Sequence, residues 1–149
     1  MTRPRTGAVL LDANVLIALA WAQHVHHDLA HHWFAAARTR AWATCPLTQL
    51  AFVRISSNPT IIRDARSPAE AAALLRQLTG LPNHLFWPDR LDLARLTAFE
   101  SVTLIGHRQV TDAYLLELAR VNNGRVATLD QGLGESLPEA ERGLVELLE

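Results

Sequence analysis

Three aspartates combine a residue type and a position that suit chemistry. Asp12 directly follows the short apolar run AVLL, and Asp130 directly follows the run RVATL. Both runs are typical of buried strands. Asp112 lies near the start of VTDAYLLELARV, where Leu115 and Ala119 place it on the apolar face of a predicted helix. A carboxylate in such a position is costly unless it is paired, protonated or bound to a cation.

Several carboxylates in one crevice suit a hard divalent cation. Mg²⁺ and Mn²⁺ prefer oxygen ligands and commonly serve phosphate chemistry. An ion held by Asp12, Asp112 and Asp130 would polarise a phosphoryl oxygen and lower the pKa of an attacking water. The simplest reaction is hydrolysis of a phosphodiester. The alternative is that Asp112 interacts with the N-terminus of its helix and the other two begin ordinary turns.

Alternating strands and helices must position these residues. Apolar, β-branched runs predict strands over 8–11, 42–45, 84–87 and 125–129, with a last edge strand over 144–148. Helical patterns predict helices over 14–22, 27–40, 46–56, 67–78, 92–99 and 110–121. This order implies a three-layer α/β/α sandwich with a central, mostly parallel sheet, in a single domain spanning 1–149. In such sheets ligands bind outside the carboxyl ends of the strands, where Asp12 and Asp130 lie.

Composition excludes several classes of protein. The chain has 149 residues, 49% hydrophobic and 19% charged, which fits one folded domain. A formal net charge of −1 excludes a uniformly basic nucleic-acid-binding protein. The 14 basic residues are all arginine, which excludes mechanisms that need lysine. The single cysteine, Cys45, excludes an internal disulfide framework. Asp12 and Asn14 interrupt the first apolar run, so we expect a cytoplasmic protein without a membrane segment.

Several segments together resemble one enzyme family. The segments LLDANVLIAL, VTDAYLLELA and VATLD are similar to the first, third and fourth acidic motifs of PIN-domain ribonucleases. The segments HVHHDLAHHWF, CPLTQLAFVR and GHRQVTDAY are similar to one branch of the VapC-type toxins of bacterial type II toxin–antitoxin pairs. The resemblance covers essentially the whole chain.

This resemblance implies an endoribonuclease that requires Mg²⁺ or Mn²⁺. It assigns Asp12, Asp112 and Asp130 as metal ligands, directly or through water. It assigns Asn14 to orienting Asp12, and Thr111 and Thr128 to hydrogen bonds with neighbouring carboxylates. Local backbone capping is the alternative role for Asn14 and both threonines. The partners implied are an RNA substrate, a cognate antitoxin and a second copy in a homodimer.

The second acidic motif departs from the family pattern. Many members carry a glutamate in the second motif, and the resemblance matches that position to Gln49, which offers a carbonyl oxygen but no charge. Glu70 and Glu100 are the candidate replacements, although Glu70 is also placed to complete a capping box with Ser67. The missing charge leaves open a second function, a PIN-like module that binds RNA or protein with weak or no catalysis.

Other polar residues near the motifs are candidate substrate contacts. Arginine suits phosphate, which makes Arg54 and Arg108, with the neighbouring His107, candidates for RNA binding. Five of the seven histidines lie between His24 and His32. Their spacing permits a transition-metal site on a helix, but a polar helix face is the favoured interpretation.

Overall fold

The computed structural model describes residues 7–37, 39–96, 109–135 and 137–149. The strands within these ranges are β1 (Val9–Leu11), β2 (Trp42–Thr44), β3 (His84–Phe86), β4 (Arg125–Thr128) and β5 (Val145–Leu147). Its six α-helices are α1 (Ala13–Ala20), α2 (His27–Ala37), α3 (Pro46–Ser56), α4 (Pro68–Thr79), α5 (Val110–Val121) and α6 (Gln131–Glu135). Two 3₁₀ segments cover Leu93–Arg95 and Glu139–Leu144.

All the strands belong to one parallel sheet in the order β3-β2-β1-β4-β5. From β1 the chain builds outward through β2 to β3, then returns to the other side of β1 for β4 and β5. The order therefore reverses between β1 and β4, and ligands in open α/β sheets bind at such a point. The predicted α/β fold with helices on both faces is confirmed.

The core lies in two layers on opposite faces of this sheet. Leu10 of β1 packs with Leu115 and Leu118 of α5 on one face. Its neighbours Val9 and Leu11 pack on the other face among residues of α1 to α4, such as Phe52. Successive strand residues point to opposite faces, so a run that is apolar at every position fills both layers.

Local sequence signals explain where the helices begin and end. In α4 the Ser67 hydroxyl accepts the backbone N–H of Glu70, and the Glu70 carboxylate accepts the N–H of Ser67. The predicted capping box is therefore present and gives Glu70 a structural role. Between α5 and β4, Asn123 has φ of 54° and Gly124 packs against the Ala8 carbonyl, where a side chain does not fit.

Some predicted bounds were wrong. Instead of a helix over 92–99, the described part of that segment forms a 3₁₀ turn at Leu93–Arg95, and residues 97–99 lie outside the described ranges. The helix predicted to reach residue 22 ends at Ala20, and the helix predicted to reach residue 40 ends at Ala37. Across the described ranges, every helix is too short or too polar to cross a membrane.

Candidate active site

The carboxyl ends of β1 and β4 place Asp12 and Asp130 next to each other. The strands are paired, and the Asp12 N–H donates to the Ala127 carbonyl at 2.9 Å. Asp12 caps α1, because its Oδ1 accepts the N–H of Ala13 at 2.8 Å. Asp130 Oδ1 accepts the N–H of Gly132 at 2.9 Å, at the start of α6. Each aspartate thus has one oxygen fixed by local backbone and one oxygen free of that contact.

The Thr128 hydroxyl joins the two aspartates. It donates to Asp12 Oδ2 at 2.9 Å and accepts the backbone N–H of Asp130 at 3.0 Å. It also accepts from Asn14 Nδ2 at 3.2 Å. Thr128 is fully buried, so its hydroxyl uses its one proton and both lone pairs inside the protein. This arrangement fixes the direction of Asp12 Oδ2.

Asn14 is linked to Asp12 through Thr128, and among the described residues no hydrogen bond joins the two side chains directly. Its Nδ2 donates to Thr128, and its Oδ1 accepts the N–H of Leu129 at 3.3 Å. Both ends of the amide therefore bind β4 and the residue after it, more than a hundred residues away in the chain. The cap on α1 comes from Asp12 instead.

The third carboxylate, Asp112, lies in the first turn of α5 and is partly buried. Burial, followed by the negative charges of Asp12 and Asp130, raises the pKa of Asp112 to about 6. Burial also raises the pKa of Asp12, against the hydrogen bonds from Thr128 and Ala13 that lower it. The three carboxylates thus share one crevice and repel one another.

The described residues supply the crevice with oxygen ligands but with no cation paired to them. Within the described ranges, no arginine or histidine forms an ion pair with Asp12, Asp112 or Asp130. The same ranges contain no set of three acidic, histidine or cysteine side chains already spaced to hold one ion. Carboxylates that are not close enough to hold an ion directly can still bind it through water, and Mg²⁺ usually keeps several waters. The chemistry of the donor set therefore fits a hard divalent cation.

Comparison with known proteins agrees with this geometry. The model of the PIN domain family matches residues 9–135, from β1 to α6. The chain belongs to the PIN-domain family. It is 45% identical to ribonuclease VapC39 of Mycobacterium tuberculosis over 93% of this chain and 98% of the relative. Ribonucleases VapC29 and VapC38 of the same organism are 49% and 44% identical, covering 84% and 93% of this chain and 87% and 96% of their own lengths.

Gln49, the predicted counterpart of the PIN-domain glutamate, is directed to a different group. Its Nε2 donates to Thr44 Oγ1 at 2.9 Å, and Thr44 Oγ1 lies 2.7 Å from His84 Nε2. Within the described ranges, Gln49 makes no hydrogen bond to any of the three aspartates. The structure thus gives Gln49 a contact with Thr44 at the end of β2, whose hydroxyl in turn contacts His84 of β3, and sequence reasoning missed this contact.

The remaining predicted site residues are not joined to the crevice within the described ranges. Thr111 is exposed, and its hydroxyl makes no hydrogen bond there to a carboxylate. Arg54 is exposed in the last turn of α3 and forms no ion pair with a described residue. His107 and Arg108, the other predicted RNA contacts, lie outside the described residues, as does Glu100.

The histidine-rich segment joins α1 to α2. His27 Nδ1 lies 2.7 Å from the Ala18 carbonyl, and His31 Nε2 lies 3.0 Å from the Leu19 carbonyl. These carbonyls belong to the last turn of α1, whose backbone acceptors lack partners within the helix. The two histidines therefore cap α1, in agreement with a structural role for this face.

Proposed function

We propose that this chain, as a single PIN-like domain spanning 1–149, is an endoribonuclease dependent on Mg²⁺ or Mn²⁺. We propose further that it acts in the cytoplasm as the toxin of a toxin–antitoxin pair. The observation that carries the activity is the crevice of Asp12, Asp112 and Asp130, three carboxylates without a compensating cation among the described residues. The relatives that bear the name ribonuclease support RNA as the substrate.

In the crevice, some residues would bind the ion and others position the residues that bind it. Asp12, Asp112 and Asp130 would hold the ion, which when bound supplies positive charge at the phosphate and lowers the pKa of a water. Thr128 holds Asp12 Oδ2 in place through a 2.9 Å hydrogen bond, and Asn14 holds Thr128. Residues that fix ligand oxygens in this way commonly change metal affinity 10- to 100-fold when they are removed. No side chain of the chain need act as nucleophile.

Two partners are part of this proposal. A cognate antitoxin is proposed from the VapC names of the relatives, and a homodimer from the family resemblance. Arg54, Arg108 and His107 remain proposed RNA contacts, because cations are needed along a phosphate backbone. Mass measurement by light scattering, alone and with the candidate antitoxin, tests both assemblies.

The decisive experiment combines cleavage and growth. Wild type and Asp12→Asn are expressed in a bacterial host, and new RNA 5′ ends are mapped. The purified proteins are also incubated with RNA in Mg²⁺, Mn²⁺ or EDTA. We expect growth arrest and site-specific 5′-phosphate ends from the wild type alone, and cleavage only with a divalent ion.

The alternative function is a PIN-like module that binds RNA or protein without efficient cleavage. Gln49 favours it, because the structure joins this residue to Thr44 and not to the crevice. Folded wild type that yields no new RNA ends, and whose RNA binding is unchanged in Asp12→Asn, would establish this alternative in place of the nuclease.

A further inference from the structure

A cavity of about 380 Å³ opens beside Asp130, on the side of β5. Its wall is formed by α6, the second 3₁₀ segment and β5, with the lining residues Asp130, Gln131, Glu135, Arg142, Val145 and Leu147 and, at its edge, Gly134 and Glu149. This volume lies at the lower end of the range for small-molecule sites, which suits one planar group. Because Asp130 belongs to both, the cavity adjoins the proposed site of cleavage.

The polar side chains of the cavity are available to a ligand. Within the described ranges, Gln131, Glu135 and Glu149 form no side-chain hydrogen bond or ion pair. Arg142 has one long contact, from Nε to the Leu137 carbonyl at 3.5 Å. Among the described residues these groups therefore keep their hydrogen-bonding capacity, and Gln131 and Glu135 of α6 and Arg142 of the second 3₁₀ segment are held by regular structure.

The charge of the cavity argues against a phosphate as its occupant. Asp130, Glu135 and Glu149 face a single guanidinium, that of Arg142. Ionised carboxylates only accept hydrogen bonds and repel anions. They suit the donor edge of a neutral nucleobase, while Val145 and Leu147 give it an apolar wall. Unpaired RNA bases commonly stack on guanidinium planes and are recognised through their Watson–Crick edges, a role open to Arg142.

We infer that this cavity binds the nucleobase next to the scissile phosphate and selects guanine over uracil. The inference rests on the proposed nuclease function. Guanine carries adjacent N1–H and N2–H donors, which match the two oxygens of one carboxylate from Glu135 or Glu149. Uracil has one N–H between two carbonyl oxygens, and those oxygens are repelled by the same carboxylates.

Nucleotide binding tests the cavity independently of cleavage. GMP and UMP, which share the same phosphate, are titrated into the protein in Mg²⁺, and the methyl NMR signals of Val145 and Leu147 are followed. We expect GMP to shift these signals with about tenfold higher affinity than UMP, at the lower end for one bidentate contact. The double variant Glu135→Gln/Glu149→Gln should reduce this ratio to about twofold or less. Glu139→Gln, which removes a charge outside the cavity, should leave it unchanged.

RNA cleavage by the same variants gives the second measurement. The bases beside the mapped cleavage sites should be enriched in guanine for the wild type and for Glu139→Gln, but not for the double variant. Equal binding of GMP and UMP, or a ratio that survives in the folded double variant, would overturn the inference even if RNA is cleaved. Absence of cleavage with intact GMP selection would instead overturn the proposed function.

Discussion

One glutamate on the sheet and the three aspartates of the crevice have opposite surroundings. On β5, Glu146 accepts a hydrogen bond from Trp33 Nε1 at 2.8 Å and from the Arg40 guanidinium at 2.9 Å. Arg125 of β4 lies 3.6 Å from the same carboxylate. In the crevice at the carboxyl ends of β1 and β4, Asp12 and the other two aspartates have no such cation among the described residues.

Glu146 therefore stabilises the fold, whereas the carboxylates of the crevice destabilise it. Glu146 joins α2 to β4 and β5 and has its charge offset where it stands. The crevice gathers like charges and partly buries them, which costs free energy without a bound cation. Packing explains Glu146 but not the crevice, so the crevice is the place to look for function.

The largest expected effect is the loss of activity in Asp12→Asn compared with Glu146→Gln. Each change replaces a carboxylate by an amide of the same shape. In RNA cleavage assays with Mg²⁺, Asp12→Asn should lower the rate at least about 100-fold, since it removes charge that would hold the ion. Glu146→Gln should cleave within about twofold of wild type but lose about 1 kcal/mol of unfolding free energy, measured in urea.

The same pair separates the two regions by ion binding. Mn²⁺ should raise the melting temperature of wild type and Glu146→Gln but not of Asp12→Asn. A melting-temperature shift that survives in Asp12→Asn would place the ion elsewhere. A loss of cleavage in folded Glu146→Gln would remove the distinction between the two regions.

The next effect concerns the buried hydroxyl of Thr128. Thr128→Val keeps the shape but leaves the Asp130 N–H and Asn14 Nδ2 without this acceptor. We expect about 10- to 100-fold weaker Mn²⁺ binding by calorimetry. We also expect a loss of about 2 kcal/mol of unfolding free energy.

Thr48 supplies the matched control for this substitution. It is also buried, and its hydroxyl accepts the N–H of Cys45 at the start of α3. Thr48→Val should therefore lose stability without weakening Mn²⁺ binding. Equal losses of Mn²⁺ affinity in the two variants would mean that general destabilisation, and not the position of Asp12, is responsible.

The pH dependence of stability also distinguishes the carboxylates of the crevice from the paired carboxylate of Glu146. The pKa of Asp112 is about 6 in the folded chain against an ordinary value of 3.8. The folded state therefore binds this proton more tightly, and ionisation of Asp112 destabilises it as pH rises from about 4 through 6. In EDTA, Asp112→Asn should become more stable relative to wild type as pH rises. The difference in unfolding free energy should change by about 2 kcal/mol between pH 4 and pH 7.

Urea unfolding at a series of pH values measures this difference directly. Glu146→Gln is the control, because its carboxylate is already paired with arginines. A difference between Asp112→Asn and wild type that stays constant across this range would contradict the repulsion within the crevice. Adding Mn²⁺ should reverse the order of stability at pH 7, since only wild type keeps all three carboxylates.

The fold was predictable because each layer of the sheet leaves its own pattern in the sequence. Apolar runs such as Ala8–Leu11 fill both faces at once, and the capping box of Ser67 and Glu70 marks the start of α4. The helix predicted over 92–99 was wrong in its described part, which forms a 3₁₀ turn, because its apolar residues do not specify how many turns form. Helical period alone does not distinguish a full helix from a single 3₁₀ turn.

The position of a site residue could be predicted where its own strand or helix determines it. It could not be predicted where the position depends on contacts with other segments. Asp12 and Asp130 follow their strands directly, and pairing of β1 with β4 brings them together. The cavity beside Asp130 was missed, because Arg142 and Glu149 reach it from segments without a motif. The contact of Gln49 was missed for a different reason: Thr44 lies only five residues before it, but the sequence does not show that the amide turns back to this hydroxyl.

The smallest expected effect is that of Gln49→Glu, which tests whether position 49 belongs to the crevice. Gln49 Nε2 donates to Thr44 Oγ1, which leaves the Thr44 proton able to donate to His84 Nε2 when that nitrogen is unprotonated. Burial lowers the pKa of His84, in agreement with a neutral ring. A carboxylate at position 49 takes the Thr44 proton and adds a negative charge near His84, so the pKa of His84 should rise.

We therefore expect the new charge to act on His84 and to leave RNA cleavage within about threefold of wild type, because the side chain at position 49 is bonded to Thr44 and not to an aspartate among the described residues. NMR titration of His84 measures the first effect, and Gln77→Glu, which adds the same charge on exposed α4, is the control. A rise in cleavage of tenfold or more, with the His84 titration unchanged, would show instead that position 49 reaches the three aspartates and supplies the charge of the second acidic motif.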